Sequence, residues 1–163
     1  MSEVVTYYLE MNTEKAFADK GDRADLRIEE AKVKDYRFNK FLYSWVGEEW
    51  TWTDKLSLPD TEWQKYAESA NLRTWIAYNQ GSIAGYYELQ KQAGDSIEIA
   101  YFGLSPSFIG KGFGGFLLSH AIRQAWGWGN TRRVWVHTCT LDHANALGNY
   151  KSRGFSIYNE KSS

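Results

Sequence analysis

A run of glycines directly ahead of an apolar helix is the feature that most constrains how this chain folds. The stretch FIGKGFGGFLL, residues 108–118, has glycine at positions 110, 112, 114 and 115 and then continues into leucines. The start of a helix has backbone N–H groups without partners and a partial positive charge, so it attracts anions. Glycines let the main chain approach an anion closely and adopt positive φ angles. The stretch therefore predicts a phosphate- or pyrophosphate-binding loop.

Two nucleotide-binding motifs compete for this stretch. Gly110, Gly112 and Gly115 satisfy the G-x-G-x-x-G pattern of dinucleotide-binding folds. In that motif the glycines follow a strand at once and an acidic residue lies about 20 positions further on. Here residues 105–109 intervene and Arg132 falls in the expected region. The Lys-Ser/Thr pair of the nucleotide-hydrolase phosphate loop is absent. A nicotinamide-dependent enzyme stays open as an alternative, on a pattern that fits poorly.

Composition narrows the class of protein. The chain has 163 residues, with 19 basic and 20 acidic side chains and no basic block, which argues against binding to nucleic acid. A single cysteine, Cys139, excludes a disulfide within the chain, and the three histidines lack metal-ligand spacing. The first residues do not resemble a signal peptide, and no apolar run reaches the roughly 18 residues of a membrane span. We expect a cytoplasmic protein without a metal or a membrane contact.

Hydrophobic periodicity and turn residues predict a mixed α/β domain extending over residues 1–163. Asp60 is a candidate N-cap for the second helix. The predicted strands are 4–11, 25–33, 73–79, 82–91, 97–104, 132–139 and 154–159, and the predicted helices are 35–46, 60–71, 116–127 and 143–154.

Two segments together resemble a known family. Residues 97–122, IEIAYFGLSPSFIGKGFGGFLLSHAI, resemble the acetyl-CoA-binding motif of the GNAT superfamily of N-acetyltransferases. Residues 141–155, LDHANALGNYKSRGF, resemble the last conserved-type segment of that superfamily. The resemblance covers residues 73–157 well and the first 70 residues hardly at all. It implies the GNAT fold, a central mixed, mostly antiparallel sheet flanked by helices, with a splayed strand pair at the acetyl-CoA site.

The resemblance also implies an activity: transfer of an acetyl group from acetyl-CoA to a primary amine by direct attack on the thioester. The acceptor would be a small molecule or a peptide, and a homodimer stays open. The residues implied to bind the cofactor are Phe102, Gly103, Leu104, Ile109, Gly110, Lys111, Gly112, Phe113, Gly114, Gly115, His143, Asn145 and Tyr150.

Two positions depart from the family pattern. Ile109 stands where the family usually has Arg or Gln, which removes one polar contact to the phosphates, although backbone N–H groups would still bind them. His143 stands where Asn is usual, and an imidazole also forms hydrogen bonds. Ile109 keeps a second hypothesis open, a catalytically inactive domain that binds acetyl-CoA.

The resemblance assigns two catalytic candidates. Glu98, on the strand that leads to the glycine loop, resembles a glutamate that acts as the base in histone acetyltransferases of the superfamily. Its alternatives are a solvent-facing position on the strand, or a water chain in place of a dedicated base. Tyr150 matches the tyrosine that protonates the departing thiolate, and its alternative role is helix packing. The backbone N–H near Leu104 is the expected oxyanion donor.

The acceptor site is expected from the half of the chain that matches the family less well. The segment YSWVGEEWTWTD places tryptophans beside the carboxylates of Glu48, Glu49 and Asp54, a combination that suits a cationic amine. The alternative is that the aromatic rings belong to the core. The candidate substrate-binding residues are Trp45, Trp50, Trp52, Tyr101 and His137.

The short C-terminal segment predicts an unusual strand arrangement. Eight residues follow Phe155, enough for one strand, whereas the family commonly ends in two. We therefore expect the N-terminal strand, residues 4–11, to pair where the second strand would lie, within the chain or across a dimer.

Overall fold

The computed structural model describes residues 3–163, which form one seven-stranded sheet together with four α-helices. In chain order these are β1 (Val5–Met11), β2 (Arg27–Glu30), α1 (Tyr36–Gly47), α2 (Asp60–Ala67), β3 (Leu72–Asn79), β4 (Ser82–Gln92), β5 (Ser96–Leu104), α3 (Gly114–Trp126), β6 (Arg133–Cys139), α4 (Ala146–Ser152) and β7 (Ser156–Ser162). Short 3₁₀ turns lie at Glu14–Ala16, Glu48–Trp50 and Pro106–Phe108.

The sheet has the order β2-β3-β4-β5-β6-β1-β7. Neighbouring strands are antiparallel except β5 and β6, which are parallel and are joined through α3. The β5–β6 ladder pairs Ser96–Glu98 with Arg133–Trp135. Both strands continue past these pairs, and their C-terminal residues line the cavities described below.

Strand β1 lies between β6 and β7. Leu9 is opposite Val136 of β6 on one side and Ile157 of β7 on the other. This confirms the prediction that the N-terminal strand pairs with the last strand, and it does so within one chain. Leu9 and Met11 are fully buried, so β1 contributes to the core as well as to the sheet.

Helices cover both faces of the sheet. Successive strand residues point to opposite faces, so neighbouring residues of one strand pack in different core clusters. On one face, Trp75 and Tyr87 belong to the large core cluster that includes the buried side of α3. On the other face, their neighbours Ile76 and Tyr86 pack in a second cluster with α1. The buried α3 residues are Leu117, Leu118, Ala121, Ile122 and Ala125, which follow helical spacing.

Most predicted elements are present, with shifted ends. In helix α2, Asp60 is the first residue and not the predicted N-cap, because Pro59, with extended backbone, precedes the helix. The helix ends at Ala67, since the chain turns at Ser69, whose carbonyl accepts from Leu72 N–H at 3.1 Å. None of the helices within residues 3–163 has the length and apolar character needed to cross a membrane.

Candidate active site

Two neighbouring cavities open beside the C-terminal end of β5. The larger, about 450 Å³, lies between that strand, the glycine loop and α4. The smaller, about 270 Å³, lies between β5, β6 and the segment after α1. Trp50, Phe102, Asp142 and Tyr150 line both cavities. The cavities therefore meet at a common wall.

The glycine loop forms one side of the larger cavity. Gly110 and Gly112 have φ angles of 81° and 84°, a conformation that side chains with a Cβ rarely adopt. Leu117 N–H donates to the Phe113 carbonyl at 3.0 Å, which leaves the N–H groups of residues 114–116 without a helical acceptor. A loop with these properties suits an anion.

Most of the predicted cofactor residues line the larger cavity, but two do not. The Lys111 side chain is exposed to solvent. The carbonyl of Lys111 accepts a hydrogen bond from Arg23 Nη1 at 2.9 Å. The Phe113 ring is buried against Phe108 and Arg23, because the loop turns it away from the cavity. The predicted residues that do line the cavity are Phe102, Gly103, Leu104, Ile109, Gly110, Gly112, Gly114, Gly115, His143, Asn145 and Tyr150.

Gly103 is required by the packing behind the cavity wall. A Cβ at this position would lie 2.5 Å from Val46 Cγ1 and 3.4 Å from Trp52 Cη2. The strand that leads to the loop thus lies directly against α1 and Trp52. This close contact fixes where the neighbouring backbone at Leu104, the expected oxyanion donor, can lie.

Tyr150 lies at the junction of the two cavities. It is on α4 and is 4% exposed, and its ring packs edge-on against Phe102 and Phe155 with centroids 6.2 and 6.0 Å away. Burial raises the pKa of the Tyr150 phenol, and the nearby carboxylate of Asp142 raises it further. The hydroxyl therefore keeps its proton at neutral pH and can donate a hydrogen bond.

His143 and Trp50 connect the loop after β6 to the segment after α1. Asn145 N–H donates to His143 Nδ1 at 3.0 Å, so the imidazole holds the start of α4. The Trp50 indole meets the imidazole edge-on, with centroids 5.3 Å apart. The imidazole therefore forms hydrogen bonds at the position where the family usually has Asn.

Asp142 and Asn149 line the larger cavity and were not predicted from the sequence. Asp142 accepts a 2.7 Å hydrogen bond from the Thr138 hydroxyl, and burial raises the pKa of its carboxyl group. The only indication in the sequence is that Asp142 is an acidic residue directly before His143. Asn149 lies one position before Tyr150, where helical geometry brings it to the same cavity as Gly114.

Aromatic rings and the carboxyl groups of Asp54 and Asp142 line the smaller cavity. Trp50, Trp52, Tyr101 and His137, all predicted as substrate-binding residues, are part of this lining. Asp54 lines it as well, and its two oxygens accept hydrogen bonds from the hydroxyls of Tyr43 and Tyr101. The cavity therefore combines π faces with a carboxylate that both tyrosines hold in place.

Trp45 does not line either cavity. It packs against Phe41, one helical turn away on α1, with ring centroids 5.6 Å apart. Phe41 is 51% exposed, so this pair lies on the outer side of the helix. Helix α1 directs its opposite side, with Leu42 and Val46, toward the sheet.

Glu98 is likewise absent from the lining of both cavities. Its carboxylate accepts from Gln92 Nε2 at 2.8 Å and lies 3.4 Å from His137 Nδ1. His137 does line the smaller cavity, and its hydrogen bond to Glu98 raises the pKa of the imidazole. Within this pair, the imidazole is the group that lines the smaller cavity.

Comparison with family models identifies one family. The model of the Acetyltransferase (GNAT) family matches residues 39–155. No curated protein matches the sequence. A GCN5-related N-acetyltransferase from Sphaerobacter thermophilus is similar in structure, with a TM-score of 0.74 and 13% identity over 98% of this chain and 50% of its own. A GCN5-related N-acetyltransferase from Kribbella flavida has a TM-score of 0.67 and 16% identity over 94% of this chain and 54% of its own.

The chain spans about half the length of these two structures. It covers more of an aminoglycoside acetyltransferase from an uncultured soil metagenomic sample, solved in complex with trehalose. That enzyme has a TM-score of 0.62 and 21% identity, over 79% of this chain and 87% of its own. These likenesses show the fold, while the family model extends from α1 through the glycine loop to α4. The chain belongs to the GNAT family of acetyltransferases.

Proposed function

We propose that this protein transfers an acetyl group from acetyl-CoA to a primary amine, by direct attack of the amine on the thioester. The observation that carries the proposal is the meeting of two cavities at Tyr150. The larger has a glycine loop suited to phosphates, and the smaller has aromatic rings and a carboxylate suited to a cation. Two substrates bound in adjoining cavities that share these lining residues would be held close to each other for reaction.

The larger cavity suits acetyl-CoA. The N–H groups at the start of α3 suit its pyrophosphate, and the groove between β5 and α4 suits its pantetheine arm. We propose that β5 and β6 splay apart beyond Glu98 and Trp135, the last pair of their ladder. This would place the acetyl carbonyl near the backbone N–H of Leu104, the expected oxyanion donor.

The smaller cavity suits a small cationic amine. Its volume of about 270 Å³ admits a compact molecule or one end of a longer one. The Asp54 carboxylate supplies the opposite charge, and Trp50, Trp52 and Tyr101 supply π faces. An aminoglycoside acetyltransferase among the similar structures is consistent with an amine acceptor, although it does not identify this one.

Two groups are candidates for the proton transfers. The His137–Glu98 pair lies beside the smaller cavity and is the candidate acceptor of the amine proton, directly or through water. Tyr150 is the candidate donor to the departing thiolate of CoA. The C–N bond forms as the C–S bond breaks, so one proton leaves the nitrogen and one reaches the sulfur.

The second hypothesis, an inactive acetyl-CoA-binding domain, rests on Ile109 alone. The smaller cavity, which adjoins the larger one, would serve as an acceptor site, and a binding domain does not need such a site. We therefore favour the enzyme. The expected location, the cytoplasm, stays a prediction.

Release of free thiol from acetyl-CoA tests this function directly. The assay is run at about pH 8, where more of each amine is neutral, against diamines, polyamines, amino acids, aminoglycosides and peptides. We expect release that depends on one amine class, with the acetylated product confirmed by mass spectrometry. Binding of acetyl-CoA without release on any acceptor would favour the binding domain. Stabilisation by NADPH and not by CoA would favour a nicotinamide enzyme.

A further inference from the structure

The segment between the first 3₁₀ turn and β2 crosses α3 next to the glycine loop. We call residues 17–25 the strap. Ala18 N–H donates to the Arg153 carbonyl at 2.9 Å, and Lys20 N–H donates to Ser119 Oγ at 2.9 Å. Arg123 on α3 forms ion pairs with both Asp19 and Asp22. The strap is thus held on α3 by its backbone and by its charges.

Arg23 ties the strap to the glycine loop itself. Its Nη1 donates to the Lys111 carbonyl at 2.9 Å, and its guanidinium lies 4.1 Å from the centre of the Phe113 ring. Arg23 also pairs with Asp25. With its donors engaged in this way, Arg23 acts as a positioning residue for the loop.

Lys20 lies where a side chain of residue 115 would otherwise lie. A Cβ built on Gly115 would be 2.8 Å from Lys20 Cδ and 3.2 Å from Lys20 Nζ. Gly115 is in the first turn of α3 and lines the larger cavity. Glycine at this position therefore lets a lysine from the strap bring its ammonium group to the beginning of the helix.

The ammonium group of Lys20 is available for an anion. The carboxylates of the strap are engaged by arginines, and in residues 3–163 no carboxylate forms an ion pair with Lys20. Its neighbour is the Phe116 ring, with Nζ 4.9 Å from the ring centre. Meanwhile Ile109, which lines the larger cavity, is an apolar side chain and gives the loop no charge at that position.

We infer that Lys20 supplies a cationic contact to the phosphates of CoA, in place of the contact that Ile109 lacks. This inference rests on the proposed function, because it assumes that CoA occupies the larger cavity. It assigns a role to a segment that lies outside the residues matched by the family model.

The test is the dissociation constant of CoA, measured by isothermal titration calorimetry on the full chain. We expect Lys20→Gln to weaken binding by about three- to thirtyfold, the range between an exposed ion pair and a charge-assisted hydrogen bond. Lys20→Arg retains the charge and should bind within about threefold of wild type. Lys15→Gln, which removes an exposed lysine in the preceding 3₁₀ turn, is the matched control and should have no effect.

Dephospho-CoA, which lacks the 3′-phosphate, shows which phosphate Lys20 contacts. Equal losses for CoA and dephospho-CoA would assign the pyrophosphate, and a loss for CoA alone would assign the 3′-phosphate. Wild-type affinity for both ligands in Lys20→Gln would overturn the inference while leaving the proposed function intact. No binding of CoA by the wild-type protein would overturn the proposed function itself.

Discussion

The hydroxyl of Tyr43 donates a 2.7 Å hydrogen bond to the carboxylate of Asp54. The same hydroxyl accepts from the N–H of Lys55 at 3.0 Å, so a buried residue of α1 holds an irregular loop at two points. Burial, and the negative charge of Asp54, raise the pKa of the Tyr43 phenol, which therefore remains a donor. The relationship fixes a carboxylate in the wall of the proposed acceptor cavity before any substrate arrives.

Substitution of Asp54 tests the acceptor site. Asp54→Asn removes the charge but keeps the size, so we expect the KM of a cationic amine to rise by about ten- to hundredfold. The dissociation constant of acetyl-CoA should stay unchanged. Steady-state kinetics of thiol release, with the amine varied, measures the effect. Glu49→Gln is the control, because Glu49 is exposed and, contrary to the expectation from the sequence, lines neither cavity. An equal KM in Asp54→Asn and wild type would place the cation elsewhere.

Substitution of Tyr150 tests the proton donor. Tyr150→Phe keeps the ring packed against Phe102 and Phe155 and removes only the hydroxyl. We expect kcat to fall by about a hundredfold or more, since general acids contribute on that scale. CoA binding by calorimetry should change little. Tyr158→Phe, on the exposed strand β7, should retain full activity. A wild-type kcat in Tyr150→Phe would assign Tyr150 to packing alone.

The His137–Glu98 pair predicts a pH dependence of stability. The hydrogen bond to Glu98 raises the pKa of His137 above its unfolded value, which is about 6.5. The folded protein therefore binds this proton more tightly. The resulting stabilisation is fully present below about pH 6.5 and is lost as the pH rises through the folded pKa. The carboxylates of Asp54 and Asp142 act on His137 in the same direction.

Urea unfolding at several pH values measures this dependence. The free energy of unfolding of wild type minus that of His137→Gln should be larger at about pH 5.5 than at about pH 8.5. The same comparison in a Glu98→Gln background should depend less on pH. A difference that does not change with pH would show that the contact with Glu98 does not raise the pKa of His137 in the folded protein.

A buried carboxyl group on β4 predicts a large effect on stability. Glu88 on β4 is 1% exposed, and burial raises the pKa of its carboxyl group. Its oxygens accept from Asn39 Nδ2 at 2.9 Å and from the Tyr66 hydroxyl at 2.6 Å. Glu88→Ala leaves the Tyr66 hydroxyl unpaired and leaves Asn39 Nδ2 with only its bond to Thr74 Oγ1, and it should lower the free energy of unfolding by about 2–4 kcal/mol.

Glu88→Gln is the matched variant, because it retains an acceptor of the same shape. It should cost less than half as much as Glu88→Ala in the same denaturant titration. Equal losses in the two variants would contradict this expectation, because they would attribute the effect to the carboxylate itself and not to volume or to the one acceptor that glutamine retains.

The parts of the molecule predicted from the sequence are those with local signals. The glycine loop and α3 follow from the spacing of glycines and apolar residues, and the hairpin between β3 and β4 follows from Gln80 and Gly81, both with positive φ. The pairing of β1 with β7 was predicted from the length of the last segment. Each of these rests on backbone geometry within a few residues, or on the number of residues available.

The parts that were not predicted depend on residues far apart in the chain. Lys20 reaches Gly115 only because the strap is bound to α3, and no periodicity indicates that contact. Trp45 and Trp52 belong to the same aromatic-rich segment of the sequence. In the structure Trp45 packs against Phe41 on the outer side of α1, whereas Trp52 lies against Gly103. Glu98 lies on the expected strand, yet its contacts with Gln92 and His137 keep it from the cavity.

A crystal structure of the protein with CoA tests the central claim most directly. The account predicts the phosphates at the glycine loop and the sulfur at the junction of the two cavities, within hydrogen-bond reach of the Tyr150 hydroxyl. The smaller cavity should stay open to an amine on the other side of the thiol. CoA bound elsewhere on the molecule, or bound with its sulfur away from Tyr150, would contradict the account.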